Sequence, residues 1–403
     1  MAVAEAQPLL RPHAGDAFPA PPAIAPLSVT QITLSHFRNY GGLRLRCEAS
    51  PVILVGANGS GKTNLVEAIS LLVPGRGLRR SPLADLQNRM TAEPWAVAIE
   101  LRGMAGALSI GTGRDTAANQ TDSGERRLVH IDGKPVRGQN QLAEHIAMAW
   151  ITPDMDRLLV EGASARRKFL DRLAFSFDPA HGGRVQRYEK AMRERLRLLR
   201  EGYADAAWLS ALEDEMAQTA TAIAAARRYM IRRLRIAIDA SGDAFPHADI
   251  DVRGTAEDLL DDKPALLVED HLRDAFMRAR SEDSRHGTCA VGAHRSDLTV
   301  LHRAKACPAD LCSTGEQKAL LIAIMLAYVR LLTGQRQMTP LFLLDDIVAH
   351  LDDYRRAALF DEIRALGVQA WLTGTDRASF AALTPHAQIF DIRNGAMSAS
   401  SFS

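Results

Sequence analysis

Cysteine is scarce in this chain of 403 residues, and the four that occur form no pattern. Cys47, Cys289, Cys307 and Cys312 give neither a CxxC pair nor a Cys/His ligand spacing, which argues against a structural zinc site and a disulfide framework. A reducing, cytoplasmic setting fits that usage. Charge of one sign is missing too: 49 basic residues meet 48 acidic ones for a net charge of +1, so any nucleic-acid surface must be local. Lysine is rare, with Lys62, Lys134, Lys168, Lys190, Lys263, Lys305 and Lys318 the only ones among those basic residues. Codon composition explains that bias as readily as phosphate recognition does. Long hydrophobic runs are also lacking. The longest, residues 319–329 between Lys318 and Arg330, is well short of the roughly 20 residues that span a bilayer, so no membrane partner is expected and that helix should be buried in protein. Residues 1–27 have neither the charged and apolar regions of a signal peptide nor the Arg-rich character of a transit peptide. With Pro19, Pro21, Pro22 and Pro26 close together, residues 1–28 read as a flexible Ala/Pro-rich extension.

What is present is an ordinary globular balance, 47% hydrophobic and 24% charged, with enough length for two or three domains. Residues 29–177 are strand-rich. Val29-Thr30-Gln31-Ile32-Thr33-Leu34 alternates, as does Trp95-Ala96-Val97-Ala98-Ile99-Glu100-Leu101, and a strand at 127–131 closes on the turn Asp132-Gly133. Residues 111–124 look like a long hairpin connection. Residues 178–290 turn helical, with Met192, Leu196, Leu199 and Tyr203 at helix spacing and a second stripe through Ile223, Met230, Leu234 and Ile238. No sustained heptads run through them, so no long coiled coil is expected. Residues 291–403 return to alternating strand and helix, with apolar runs typical of buried parallel strands.

The chemistry begins at Gly56-Ala57-Asn58-Gly59-Ser60-Gly61-Lys62-Thr63, a complete phosphate-binding loop between the apolar strand 51–55 and a helix opening at Asn64. Backbone N–H groups in a glycine-permitted curve and a helix N-terminus make a concave anion site. Lys62 should meet the β and γ oxygens of a nucleoside triphosphate, and the Thr63 hydroxyl should ligate Mg²⁺. Far downstream, Leu341-Phe342-Leu343-Leu344-Asp345-Asp346 is a Walker B pattern. Asp345 would hold Mg²⁺ through water, and Asp346 stands where a general base must be to orient the attacking water.

Between them, Cys312-Ser313-Thr314-Gly315-Glu316-Gln317-Lys318 precedes the apolar helix and resembles the signature motif of ATP-binding-cassette ATPases, which completes the partner subunit's nucleotide site. The same residues also make a helix-capping pattern. Ile347-Val348-Ala349-His350-Leu351-Asp352 resembles a D-loop, with His350, Leu351 and Asp352 at its end, and points to self-association. Thr373-Gly374-Thr375-Asp376 stands where cassette transporters carry a switch histidine, which speaks against a transporter subunit.

Four stretches narrow the family: Leu34-Ser35-His36-Phe37-Arg38-Asn39-Tyr40; Trp150-Ile151-Thr152-Pro153-Asp154-Met155 with Arg166-Arg167-Lys168-Phe169-Leu170-Asp171; Gly292-Ala293-His294-Arg295-Ser296-Asp297-Leu298; and the signature segment. Together they closely resemble the RecF family of bacterial DNA replication and repair ATPases, from about residue 29 to 392. The resemblance implies an α/β fold, an ABC/SMC-like P-loop ATPase head with an inserted helical second lobe. It implies ATP and Mg²⁺ as cofactors, an ATP-dependent homodimer, binding of single-stranded or gapped DNA and duplex junctions, and action with RecO and RecR to bring recombinase onto gaps, with a role in the SOS response. Carried over by residue, Arg38, Asn39 and Asn64 join the loop at the nucleotide, and Ser313, Thr314, Gly315, Glu316 and Gln317 act in trans. Ala293 and Ser296 depart from the Pro and Asp expected in the family pattern.

Most cassette ATPases place Glu where this chain has Asp346, one methylene longer, so hydrolysis should be slow and ATP should act mainly as a dimer clamp. Candidate DNA contacts are Arg193, Arg197 and Arg200 on one helix face, Arg228, Arg232 and Arg235 on another, and Arg76, Arg79 and Arg80 after the P-loop helix. The alternative for the helix faces is solvated charge paired with acids such as Glu194 and Glu213. Rival readings are a transporter's nucleotide-binding subunit, an SMC-like head carrying a nuclease, and an ATP-gated binding protein without significant hydrolysis.

Overall fold

The structure is a computed structural model that describes residues 26–103, 106–114, 127–202, 205–336, 338–393 and 395–399. Most of the N-terminal extension, residues 115–126 of the hairpin connection and Tyr203 lie outside the described residues.

Short apolar runs make the central sheet. Its order is Ala396–Ala399, Gln388–Arg393, Val52–Val55, Ala370–Gly374, Leu341–Leu344 and Met148–Ile151, parallel throughout except for the edge pair Gln388–Arg393 and Ala396–Ala399. Leu343 lies opposite both Trp150 and Trp371, and all four residues of Leu341–Leu344 are buried. A strand covered on both faces needs no polar alternation, which is why these segments read as unbroken hydrophobic runs. Parallel pairing also carries the loops that follow each strand to one edge of the sheet.

A second, antiparallel sheet runs Tyr40–Arg46, Ser28–Phe37, Ala96–Gly103, Gly106–Arg114, Arg127–Ile131 and Lys134–Pro135. Along Ala96–Gly103 buried and exposed residues alternate, the period of a strand with one wet face. Its inner face and the central sheet share the main core.

The helix Thr314–Arg336 is longer than its apolar run, and its window Thr314–Gly334 has a mean hydropathy of 1.4, enough by length and composition alone to cross a membrane. That window is 89% buried inside the protein, as in a core helix.

Residues 178–290 are not purely helical. Helices His181–Glu201, Ala206–Asp239 and Ala265–His286 frame them, but Ala248–Arg253 is a strand that pairs antiparallel with Asp297–His302. Nor does this segment have a core wholly its own. Met216, Ala220 and Ile223 of the long helix belong to a second apolar cluster, whereas Met230, Leu234 and Ile238 belong to the main one. Inside the second lobe Arg195, fully buried, donates to Glu213 at 2.8 Å and to Asp283 at 2.5 Å, and its remaining donors reach Phe276 O and Cys289 Sγ. Such a group is tolerated in a core because two carboxylates face its charge and each of its three nitrogens finds an acceptor.

Candidate functional site

The P-loop leaves Val52–Val55 and turns into the helix Lys62–Ser70. Gly59 and Gly61 hold φ values of 80° and 118°, which favour glycine. A Cβ on Gly61 would lie 2.7 Å from Asn39 Nδ2 and 2.8 Å from Tyr40 Oη, so the loop is pressed against a second wall. That wall is hydrogen-bonded to it: Asn39 Nδ2 donates to Ser60 O at 3.0 Å, Tyr40 Oη donates to Gly61 O at 3.0 Å, and Asn64 Nδ2 donates to Asn39 Oδ1 at 2.8 Å. Arg38 grips the helix behind the loop, donating to both oxygens of the fully buried Glu67 at 2.8 and 2.7 Å and to Asp85 O and Ser81 Oγ. Arg79 joins it, 3.5 Å from Glu67 and donating to Asn64 Oδ1 at 3.0 Å.

Lys62 curls over the loop and donates to Gly56 O at 2.7 Å and Ala57 O at 2.9 Å. Burial lowers its pKa, while the charges of Asp346 and Asp345 oppose that shift. Thr63 Oγ1 donates to Asp345 Oδ1 at 2.9 Å, joining the helix after the P-loop to the end of Leu341–Leu344, with Ala370–Gly374 between their strands. Thr373, at the switch position, donates from its hydroxyl to the same Asp345 Oδ1 at 2.8 Å and accepts the Asp346 N–H at 2.8 Å. Burial raises the Asp345 pKa, and the hydroxyls of Thr373 and Thr63 pull it back. Asp346 is half-buried with φ 53°, an uncommon backbone state for a non-glycine residue and one found at functional positions.

Two features test whether a nucleotide with Mg²⁺ fits. The Ser60 hydroxyl is buried with no hydrogen-bond partner, beside Lys62 amine donors that now rest on carbonyls of the loop itself. A cavity of about 490 Å³ lined by Gly56, Ala57, Asn58, Ser60, Thr375 and Arg393 opens beside them. Both suit phosphate oxygens. Thr63 and Asp345 suit Mg²⁺, which is held by one or two protein oxygens plus substrate phosphates, so the lack of any three-residue His/Cys/Asp/Glu group among the described residues is no obstacle.

The signature residues stand apart from this cluster. Ser313, Thr314 and Gly315 are exposed at the start of Thr314–Arg336. The capping pattern is formed: Ser313 N donates to Glu316 Oε2 at 3.0 Å, and Glu316 N donates to Ser313 Oγ at 3.4 Å. Hydrogen bonds from Lys305 and Ser313 hold the Glu316 carboxyl down at about 2. Gln317 is buried and donates to Cys312 O at 2.9 Å, and Lys318 donates to Asp156 at 2.9 Å. His350 ends a short turn, Leu351 is buried, and the exposed Asp352 caps Asp353–Leu366 by accepting from Arg355 N at 2.7 Å.

The third family stretch joins the two lobes. Arg166 pairs with Asp297 at 2.7 Å, Arg167 donates to Ser296 O, and Arg227 donates to Ala293 O and to both oxygens of Asp171 at 2.8 and 2.9 Å. Gly292 is needed where it stands, since a Cβ there would lie 2.1 Å from Tyr188 Oη.

Most of the candidate DNA-contacting arginines are already engaged. Arg193 lies 3.8 Å from Glu189, Arg197 donates to Glu194 and Glu201 at 2.6 and 2.7 Å, Arg200 donates to Gly287 O, and Arg228 binds Glu257 O and Asp261. Acids three or four residues away on the same helix take up two of these charges, the outcome the helical spacing allows. Arg235 pairs with Asp251, and Glu213 serves Arg195 and Arg280 instead. Of the six arginines on the helix faces, Arg200 and Arg232 are exposed without a carboxylate partner among the described residues. Conversely, Tyr40, Glu67 and Thr373 shape the site without having been singled out for it. Tyr40, inside a family stretch, and Thr373, inside the stretch at the switch position, carried a signal; Glu67 carried none.

A parallel sheet with P-loop, paired aspartates and capped signature helix at its strand ends defines an SMC-type P-loop ATPase head. The family model described as RecF/RecN/SMC N terminal domain matches residues 28–398. The DNA replication and repair protein RecF of Mesorhizobium japonicum is 46% identical over 369 residues, covering 91% of this chain and 96% of its own. That of Allorhizobium ampelinum is 44% identical over 372 residues, covering 92% and 98%. The chain belongs to the RecF family of DNA replication and repair proteins. In fold it is similar to the recombination mediator protein RecF-ATP of the RecFOR pathway, with a TM-score of 0.81 at 21% identity over 94% of this chain and 99% of that one. A Smc head domain from Pyrococcus furiosus follows at a TM-score of 0.52 and 14% identity, over 94% of this chain and 96% of its own.

Proposed function

We propose that this chain is a cytoplasmic, ATP-dependent DNA-binding protein of recombinational repair, in which ATP drives homodimerisation and slow hydrolysis resets it. It would bind single-stranded or gapped DNA and duplex junctions and, with RecO and RecR, help load recombinase and support the SOS response. The curated relatives carry replication and repair in their names, and the solved RecF belongs to a RecFOR pathway. The observation that carries the reading is the cluster in which Asp345 takes hydroxyls from both Thr63 and Thr373 while Thr373 fixes the Asp346 backbone.

In this reading residues 29–177 and 291–403 build the ATPase lobe and 178–290 the second lobe. Lys62 exchanges its two loop carbonyls for phosphate oxygens, with N–H groups of 56–64 completing the cradle. Thr63 and Asp345 hold Mg²⁺, which supplies charge to the phosphate oxygens when bound. Asp346 accepts the proton of the attacking water. Asn39 positions the loop from behind, and Arg38 does so through Glu67. Ser313 to Gln317 serve the partner's nucleotide, and their exposure leaves them free to do so; His350 to Asp352 align the two sites. Burying ATP between two copies creates contacts that only the dimer makes, so nucleotide shifts association.

Solution mass, measured without nucleotide, with ADP and with ATP, each with and without gapped DNA, tests this. A monomer that doubles in mass with ATP and then holds DNA more tightly supports the clamp. Mass that ignores ATP assigns the signature helix a structural role only.

A further inference from the structure

The cations that the helix faces do not offer are found elsewhere. Two adjoining cavities of about 1190 and 540 Å³ share Arg80, Lys168 and Arg172, and the larger is also lined by Arg76, Arg127 and Arg137. Arg76, Arg80, Arg137 and Lys168 are exposed, and among the described residues none has a carboxylate within ion-pair distance. Arg172 is more telling. Its guanidinium is half-buried, 4.5 Å over the Trp150 ring and 5.4 Å over that of Phe169, and its one hydrogen bond goes to Met155 Sδ at 3.7 Å. Burial pushes its pKa down to about 10, and the Arg80 charge adds to the shift. Arg127 is likewise held at about 10 by burial, with carbonyls, the Thr112 hydroxyl and Gln139 as its acceptors among the described residues.

Removing a cation from water without a counter-charge is costly, and the cost falls when an anion enters. The acids on the walls do not fill that role. Asp171 is bound by Arg227 and His181, Glu189 lies beside Arg193, and Asp154 and Glu161, which share the smaller cavity, make no ion pair with Arg80, Lys168 or Arg172. No residue of 56–63 lines either cavity, so the P-loop's phosphates are not the missing anion. Six cations shared out over two adjoining cavities suit a chain of phosphates rather than one. Trp150 and Phe169 are covered, leaving backbone charge rather than base stacking as the chemistry of recognition.

We propose that this inter-lobe groove, with Arg76, Arg80, Arg137, Lys168 and Arg172 along it, is where the phosphodiester backbone of DNA docks. The proposal rests on the DNA-binding reading above but assigns a surface to it.

The test is fluorescence anisotropy of a labelled gapped duplex with the full chain, with and without ATP, over a series of salt concentrations. Arg80→Ala/Arg137→Ala/Lys168→Ala should bind at least about tenfold more weakly and lower the slope of log K against log salt by about 2.7, three lost phosphate contacts at about 0.9 each. Arg172→Lys keeps charge and stem but loses the planar stacking, and should weaken binding less than the triple variant does. Arg193→Ala/Arg197→Ala should match the wild type. Fluorescent-nucleotide binding and thermal unfolding confirm that the variants are folded. Wild-type affinity and slope in the triple variant would overturn the groove and leave DNA binding itself standing; a wild type that binds no DNA sinks the functional reading instead. If millimolar inorganic phosphate at constant ionic strength displaces the duplex, a single-anion pocket replaces the backbone track.

Discussion

Thr373 illustrates how much one hydroxyl does at this site. It neutralises part of a buried carboxylate and fixes the peptide of the next aspartate, so Thr373→Val leaves Asp345 one donor short and frees the Asp346 backbone. A hydrogen bond to a charged group contributes about 1.5–3 kcal/mol, and a loss at the lower end slows turnover by roughly tenfold. Single-turnover hydrolysis, with nucleotide affinity measured alongside, separates this from a binding defect. Lys62→Ala removes the ammonium that reaches across the loop, and ATP should then fail to dimerise the protein, as read by solution mass. Asp346→Asn should trap an ATP-bound dimer; turnover at the wild-type rate would overturn its assignment as the general base and leave it a water ligand.

The helix Thr314–Arg336 serves two ends at once. Its body fills the core, where each large apolar side chain contributes about 1.5–3 kcal/mol, and its capped N-terminus stays open to solvent. Ser313→Arg should therefore keep the helix and nucleotide binding intact and abolish ATP-dependent dimerisation, which circular dichroism, nucleotide titration and solution mass together decide. Elements of this kind were legible in the sequence because their signal is local. The P-loop, the Asp345-Asp346 strand end, the alternation of 96–101 and the capping box are each written in a few consecutive residues. Ala248–Arg253 was not legible, since its partner strand begins at Asp297 and helix-forming segments flank it. Arg38 was read as lying near the nucleotide, but its grip on Glu67 depends on a turn meeting a helix 29 residues later. The arginine faces could be read either way for the opposite reason: their acids were visible in sequence, yet which charges remain unpaired is a property of the packed molecule.

At the scale of the whole molecule, the lobes are tied by Asp171, which joins Arg227 and His181. Burial alone would raise its pKa, but hydrogen bonds from His181 and the Arg227 charge hold it at about 2. A carboxyl depressed on folding stabilises the protein above its unfolded pKa, about 3.9, and loses that contribution as pH falls through the folded value. Denaturation midpoints should thus drop between about pH 4 and pH 2, and Asp171→Ala should flatten that dependence. The same change leaves Arg227 buried with the Ala293 carbonyl and one weaker carboxylate partner, Glu257 at 3.5 Å, and should cost about 3–5 kcal/mol in urea unfolding at neutral pH. The helix Ala206–Asp239 crosses this junction with one end in each core. At 34 residues it is a rod about 50 Å long. Anchored by its C-terminal half in the main core, against the helix Thr314–Arg336 and the strand Ala248–Arg253, it works as a pointer: a turn of about 5° at the anchored end sweeps the other through roughly 4 Å over that length. If the ATPase core tilts on the proposed closure around a second copy, that tilt is written, enlarged, at the far tip of the other lobe.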